Sequence, residues 1–339
     1  MRKICILWVV IFWIHSTHSQ QADFKNVDFS KADNIAKSHR KSKLKDLNKL
    51  TYLLTQNLDS DIEKFRAIYM WVTHNIANDH RLYKKNNRKR KKFANDSIAL
   101  EEWNSKLKRE LFKKLLKRKK TICTGYAYLI KEMSDIVGIE ATMVAGVGKI
   151  TELTEEDFND PNHTWNAVKI NEKWYLSDPT WASGISYPEQ GRFVFDYNNG
   201  YFLSDPELFI MNHYPIDSKW SLLDKDIPAF KDFLNAPLIY GDAYTSLLKH
   251  VSPKKMHHEI KEEDTIKFQY VLKKDIDVNK VKFAIVSGLN EFIKKPEAIK
   301  KGNDLSLQLQ FKNRGFYDVH LYFDKQLIAT YTVRVNKQE

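Results

Sequence analysis

Residues 121–138 read TICTGYAYLIKEMSDIVG, and residues 163–178 read HTWNAVKINEKWYLSD. In the first stretch Tyr126, Leu129, Ile130, Met133 and Ile136 recur at helical spacing behind Cys123, and Gly138 closes the run. The spacing predicts a helix that opens on Cys123. Residues 140–147, 164–170 and 173–176 then have the texture of strands, with Asn171-Glu172 as a hairpin turn between the last two. Helices followed by a sheet predict an α+β fold rather than alternating βαβ units.

Upstream, from Asn34 to His80, the apolar residues keep helical spacing and divide into two helices at residues 57–61. The first carries Leu47, Leu50, Leu53 and Leu54; the second carries Phe65, Ile68, Tyr69, Val72 and Ile76. Ser60 followed by Glu63 is a capping-box signature for the second. Residues 84–97 read as a polar, basic connector before a further helix over 98–116. Beyond Ser252 the texture becomes five short alternating runs, at 265–272, 281–286, 306–311, 317–323 and 327–335, mostly separated by turn residues. Their number and spacing predict a small immunoglobulin-like β-sandwich. The expected division is a leader over 1–19, an α+β domain over 20–245 and a sandwich over 252–339.

The leader follows from Arg2 and Lys3, the apolar run Ile4 to Ile14, and the small polar stretch His15 to Ser19, the layout of a secretory signal peptide cut before Gln20. The run is too short to span a bilayer, which takes roughly 20 residues. No other segment is apolar for long enough, so the mature chain is expected to be exported, periplasmic or secreted, without a transmembrane segment. Cys5 falls inside the leader, which makes Cys123 the sole thiol of the mature chain. An unpaired cysteine in an exported protein points to a functional thiol or an intermolecular bridge.

The formal charge of +12 is concentrated in two runs, Lys84 to Lys92 and Lys113 to Lys120. Such runs suit an acidic polymer or an anionic surface. The first has no interleaved stacking aromatics, and export argues against nucleic acid as partner.

A thiol attacks as its thiolate, and a helix N-terminus beside a histidine makes thiolate. Cys123 meets the first condition, and its N–H is half of an oxyanion hole. His163 stands at the start of a strand and supplies the imidazole. Asp178 directly follows the strand paired with it through a tight hairpin, so its carboxylate can hold the ring nitrogen away from the sulfur.

The segments Cys123-Thr-Gly-Tyr-Ala, His163-Thr-Trp-Asn-Ala-Val and Trp174-Tyr-Leu-Ser-Asp178-Pro-Thr-Trp together resemble the three motifs of the transglutaminase-like superfamily. Residues 67–76 and the stretch from Tyr201 through His213-Tyr-Pro to Trp220-Ser-Leu-Leu resemble flanking segments of bacterial and kyphoscoliosis peptidase-like members. The resemblance implies a papain-like triad in which Cys123 is the nucleophile, His163 the general base and acid, and Asp178 the orienting carboxylate. It implies acyl transfer on protein or peptide amides, by hydrolysis or by transfer to an amine. The competing reading is an inactive binding or scaffold module that keeps the triad residues.

Trp103 is a weak candidate for the second oxyanion donor. His74, His80, His213, His257 and His258 read as solvated or structural, and Trp165, Trp174 and Trp181 as packing around the site. No zinc-like ligand pair, calcium loop or phosphate loop occurs, Gly146-Val-Gly148 included, so no metal and no cofactor is expected.

Overall fold

A computed structural model describes residues 20–150, 153–187 and 189–337; the expected leader lies outside them. Three helices open the chain, α1 (Ser30–Ser38), α2 (Leu47–Thr55) and α3 (Asp61–Asn75). The first was not foreseen as a separate helix. α3 is capped as its sequence predicts, with the Ser60 N–H donating to Glu63 Oε2 at 3.3 Å. Phe65, Ile68, Tyr69, Trp71 and Val72 on it are buried. Arg66, also buried, makes a two-pronged pair with Asp33 of α1 at 2.7 and 3.0 Å, and its remaining nitrogen donates to Asn199 and Tyr197.

The short strand β1 (Ala77–Asn78) leads into α4 (His80–Lys92), which occupies most of the segment read from composition as a connector. The basic run is helical because its local forces agree. Asp79 accepts from the Leu82 N–H at 3.1 Å, the lysines and arginines are good helix formers, and one face finds a partner. That partner is α5 (Ser97–Arg118). Leu82 of α4 clusters with Leu111 of α5 and with Ile122, while the Trp103 indole N–H donates to Asn86 at 3.0 Å. Lys85 pairs with Glu110 at 2.8 Å and Arg90 pairs with Asp160, so part of the run's charge is balanced internally. After α5 the strand β2 (Lys120–Thr121) lies parallel to β1, and α6 (Cys123–Ile136) follows.

α6 packs on a four-stranded sheet. Its members are β3 (Ala141–Gly148), β4 (His163–Ile170) and β5 (Lys173–Ser177); after the hairpin β6 (Gly184–Tyr187) and β7 (Arg192–Phe195) comes β8 (His213–Pro215). The order β5-β4-β3-β8 is antiparallel throughout. Asn171 and Glu172, at the β4–β5 turn, both have positive φ (50° and 60°), the backbone a two-residue hairpin with the right twist needs. Leu129, Ile130 and Met133 bury the inner face of α6, each worth about 1.5–3 kcal/mol. Asn166 on β4 clamps helix to sheet, donating to Ala127 O at 3.0 Å and Thr142 O at 3.1 Å. On the outer edge, the buried Gln20 donates to Trp174 O at 3.0 Å and accepts from the Leu176 N–H at 3.0 Å.

Short elements α7 (Pro179–Ser183), α8 (Pro206–Phe209), α9 (Phe230–Asn235), β9 (Leu238–Ile239) and α10 (Gly241–Ser246) complete this half. The C-terminal half holds nine strands where five were expected. They are β10 (Leu247–Ser252), β11 (His257–Lys261), β12 (Thr265–Leu272), β13 (Val281–Ser287), β14 (Asn290–Lys294), β15 (Glu297–Lys301), β16 (Asp304–Gln310), β17 (Gly315–Phe323) and β18 (Gln326–Asn336). One sheet runs β10-β12-β16-β15, the other β11-β18-β17-β13-β14. In chain order this is the A-B-E-D against G-F-C arrangement of an immunoglobulin-like sandwich, with an extra strand at each end of the second sheet. Tyr317 on β17 makes the tyrosine corner of such folds, its hydroxyl donating to Asn313 O at 3.0 Å. Phe268, Phe283 and Tyr331 fill the centre. The two halves are joined by backbone, since β9 pairs antiparallel with β18. Among the described residues no helix is long and apolar enough to cross a membrane.

At Gly146 sheet packing leaves no room for a side chain. A Cβ there would lie 2.2 Å from the Trp165 ring and 2.3 Å from Tyr214 O. Because the backbone oxygen cannot move aside cheaply, Gly146→Ala is expected to lower stability by about 1–3 kcal/mol, read as a fall in urea midpoint at unchanged m-value.

Candidate active site

Cys123 is the first residue of α6, and its sulfur sits where the first-turn N–H groups have no intrahelical acceptor. His163 and the Thr124 N–H stand close enough to the thiol to draw its ionisation down. His163 begins β4 and its Nε2 lies 2.7 Å from Asp178 Oδ2, which leaves Nδ1 for the sulfur. Asp178 follows β5 and caps α7, with Oδ1 accepting from the Thr180 N–H at 2.8 Å and the Trp181 N–H at 3.1 Å. The three residues singled out from the sequence thus meet at one point.

A fourth residue meets them there. His213, read from the sequence as solvated or structural, is fully buried, and its Nε2 lies 3.0 Å from the same Asp178 Oδ2. It arrives through sheet order. β4 and β8 flank β3, with Gly146 opposite His163 and Gly148 opposite His213, so both rings stand at one end of the central strand. Gly148 leaves room for this approach, since a Cβ on it would press on His163 at 3.0–3.3 Å. Nothing local marks His213 in the sequence; only the strand His213-Tyr-Pro closing the sheet places it.

The other sequence candidates separate clearly. Trp103 does not line the cleft, and its N–H is taken by Asn86. Trp181 stacks on His163 with centroids 5.1 Å apart, and Trp165 packs under both histidines. Trp174 packs on Trp220 instead. His74 bonds Met70 O, His257 bonds Thr332 and His258 bonds Lys255 O. His80 lines the cleft, and its Nε2 is buried without a partner among the described residues.

The charges of the group are set by burial working against close partners. Burial pushes the Cys123 thiol up, but the hydrogen bond and positive charge of His163 bring it below its ordinary value. For His163 burial acts downward and is overcome by Asp178 and Cys123, which raise it to about 10. Asp178 is buried too, yet His163 and His213 hold it well below the usual carboxylate range. His213 goes the other way: burial lowers it to about 4 despite Asp178. These directions favour a thiolate–imidazolium pair at Cys123 and His163, beside an ionised Asp178 and a neutral second imidazole.

His163 Nε2, Asp178 Oδ2 and His213 Nε2 lie within 4.8 Å of one another, a residue set that also occurs around metal ions. Here the hydrogen bonds at 2.7 and 3.0 Å, with both Oδ1 contacts taken by amides, account for the cluster.

The site opens into a cleft of about 810 Å³. Cys123 and His163 lie in its wall with Trp181; Asn78 and His80 face it from the β1–α4 junction, Ile185 and Phe193 from the β6–β7 hairpin. Gln326 and Leu327, at the start of β18, line it from the sandwich.

Residues 48–179 match the family described as the transglutaminase-like superfamily. The mouse kyphoscoliosis peptidase is 31% identical over 219 residues, covering 61% of this chain and 30% of that protein. The human kyphoscoliosis peptidase is 30% identical with the same two coverages, and Drosophila melanogaster hillarin is 26% identical, covering 63% of this chain and 25% of its own length. The chain thus spans about 30% of the length of the two curated peptidases it matches.

Two outcomes are expected from these charges. Cys123 should alkylate rapidly at pH 6, where an ordinary thiol with a pKa near ~8.5 is almost wholly protonated, and His163→Ala should slow it on the order of tenfold or more. Stability should also fall on acidification. His213 and His250 are both lowered from 6.5 to about 4 by burial, so the stability each contributes is complete above pH 6.5 and is lost as pH falls toward 4. Urea titrations at pH 7 and pH 5 should differ by about 1–2 kcal/mol per histidine.

Proposed function

We propose that the chain, whose residues 48–179 match the transglutaminase-like superfamily, is an exported cysteine-dependent acyl-transfer enzyme acting on protein or peptide amides. The observation that carries this reading is the division of His163, with Nε2 held by Asp178 and Nδ1 left for the Cys123 sulfur. An imidazole fixed this way takes up the thiol proton in the resting state and returns it to a leaving nitrogen.

The Cys123 thiolate attacks the carbonyl carbon of a substrate amide seated in the cleft. The developing oxyanion receives the Cys123 N–H, at the positive end of α6. His163 gives its proton to the departing nitrogen as the C–N bond breaks, leaving a thioester on Cys123 and a neutral imidazole. Water or a primary amine then adds to the thioester, losing a proton to His163, and collapse of the adduct releases acid or new amide and restores the thiolate. Asp178 stays ionised throughout and holds the ring. The cleft has the volume to take a peptide segment, and Ile185, Phe193 and Trp181 give it apolar lining for side chains.

Export is proposed from the Arg2 to Ser19 leader and from the single thiol it leaves behind. Lys84, Arg88, Lys91 and Lys92 stand exposed on α4, which supports a proposed contact with an acidic polymer or anionic surface.

Incubation of the full chain with a glutamine-containing peptide, with and without a primary amine, separates the possible reactions. Cleavage or ammonia release without amine marks hydrolysis; amine incorporation marks cross-linking. Either should vanish in Cys123→Ala. If no reaction occurs and Cys123 also alkylates like an ordinary thiol, the acyl-transfer reading is wrong and the scaffold reading stands.

A further inference from the structure

We propose that His213 is a positioning residue of this site: as a neutral N–H donor it pins the second acceptor direction of Asp178 Oδ2, and through Asp178 it sets the orientation of His163 and the ionisation of Cys123. The inference rests on the acyl-transfer reading of Cys123 and concerns a residue outside the triad.

An ionised carboxylate has about four lone-pair directions to satisfy. Asp178 is shut off from water, so each must be met by the protein. The Thr180 and Trp181 amides take Oδ1; His163 takes one direction of Oδ2 at 2.7 Å, and His213 takes the other at 3.0 Å. Without His213 the carboxylate would keep a buried unmet lone pair and could swing about its Cβ–Cγ bond, carrying the His163 ring with it.

The ring of His213 is clamped by its packing, and its Nδ1 has no hydrogen-bond partner among the described residues. Phe209 stacks flat on it at 3.8 Å with an interplanar angle of 10°, Trp181 lies 4.4 Å away and Trp165 meets it edge-on at 5.2 Å. This aromatic box also decides its charge state. It offers no counter-ion besides Asp178, whose negative charge is already matched by the His163 imidazolium, so a second positive ring there would face His163 with centroids only 5.6 Å apart. A neutral imidazole facing a carboxylate must carry its proton on the facing nitrogen. His213 therefore adds a hydrogen bond without adding charge, and leaves the attraction between Asp178 and His163 whole. The titratable groups packed around it are Asp178, His163 and Tyr201.

The test compares three variants of the full chain by the pH dependence of Cys123 alkylation, a readout that needs no substrate. His213→Leu keeps the volume and removes the donor. His213→Gln restores a donor. Phe209→Leu disturbs the packing and leaves the donor. In wild type the midpoint should lie well below that of a free thiol; if it does not, the acyl-transfer reading fails and takes this inference with it. Given an activated wild type, His213→Leu should raise the midpoint by about one unit, equivalent to about tenfold slower alkylation at a pH below both midpoints. His213→Gln should stay within about threefold of wild type, and Phe209→Leu should lower Tm without moving the midpoint. A wild-type midpoint in His213→Leu, or equal impairment in the Gln and Leu variants, overturns the proposal. Should His213→Leu not fold, nitrogen NMR of the wild-type imidazoles decides it. A neutral His213 protonated on Nε2 at pH 7 is expected, and a charged ring or the other tautomer refutes the role.

Discussion

A carboxylate withdrawn from water must find every one of its hydrogen bonds inside the protein, and Asp178 is such a carboxylate. Much of the N-terminal half is arranged around that requirement. The turn into α7 supplies two amides, β4 supplies His163 and β8 supplies His213. The backbone of Asp178 is held as firmly as its side chain. Its N–H donates to Tyr201 O at 3.0 Å, and its own carbonyl accepts from the Tyr69 hydroxyl, which reaches across from α3 at 3.0 Å. The same hydroxyl proton is shared with Tyr201 O at 3.0 Å, so one phenol ties the central helix to both chain segments that hold the carboxylate. The position of Asp178 is thus a property of helix, sheet and loop together, and the ionisation of Cys123 inherits it.

What the sequence disclosed and what it concealed follow the range of the forces involved. The α6 start at Cys123, the Ser60 and Glu63 cap and the Asn171-Glu172 turn are each decided within a few residues, and all three are found where local pattern puts them. The meeting of His163 and Asp178 could be read because only a two-residue hairpin separates their strands. His213 is brought in by the pairing of β8 with β3, and no local pattern encodes that pairing. The helix α4 was hidden for a different reason. Its composition is that of a solvated loop, and its few apolar side chains have meaning only against α5. In the sandwich, β14 and β15 escaped because all of their residues are exposed, which removes the alternation by which a half-buried strand is recognised.

The two halves of the chain are less separate than their textures suggest. β9 belongs by sequence to the first half and by hydrogen bonding to the second, and Tyr240 beside it shares a hydrogen bond with Thr330 of β18 at 3.1 Å. The same strand begins with Gln326 and Leu327, which line the cleft. One sheet of the sandwich therefore continues into the α+β half and forms part of the cleft rim. A displacement of the sandwich would reshape the cleft while leaving the Asp178 hydrogen bonds intact, because none of those bonds crosses the junction.

Gln20 contributes something apart from the chemistry. Its amide donates to Trp174 O and accepts from the Leu176 N–H, the pair of bonds a neighbouring strand would make along the free side of β5. An outer strand with open backbone groups is a template on which another chain can add. Gln20 covers this edge at Trp174 and Leu176, and nearer Asp178 the segment 201–204 takes over, with the Ser204 N–H on Leu176 O at 2.8 Å. Without this one residue the Trp174 carbonyl and the Leu176 N–H would stand open at the outer edge of the sheet.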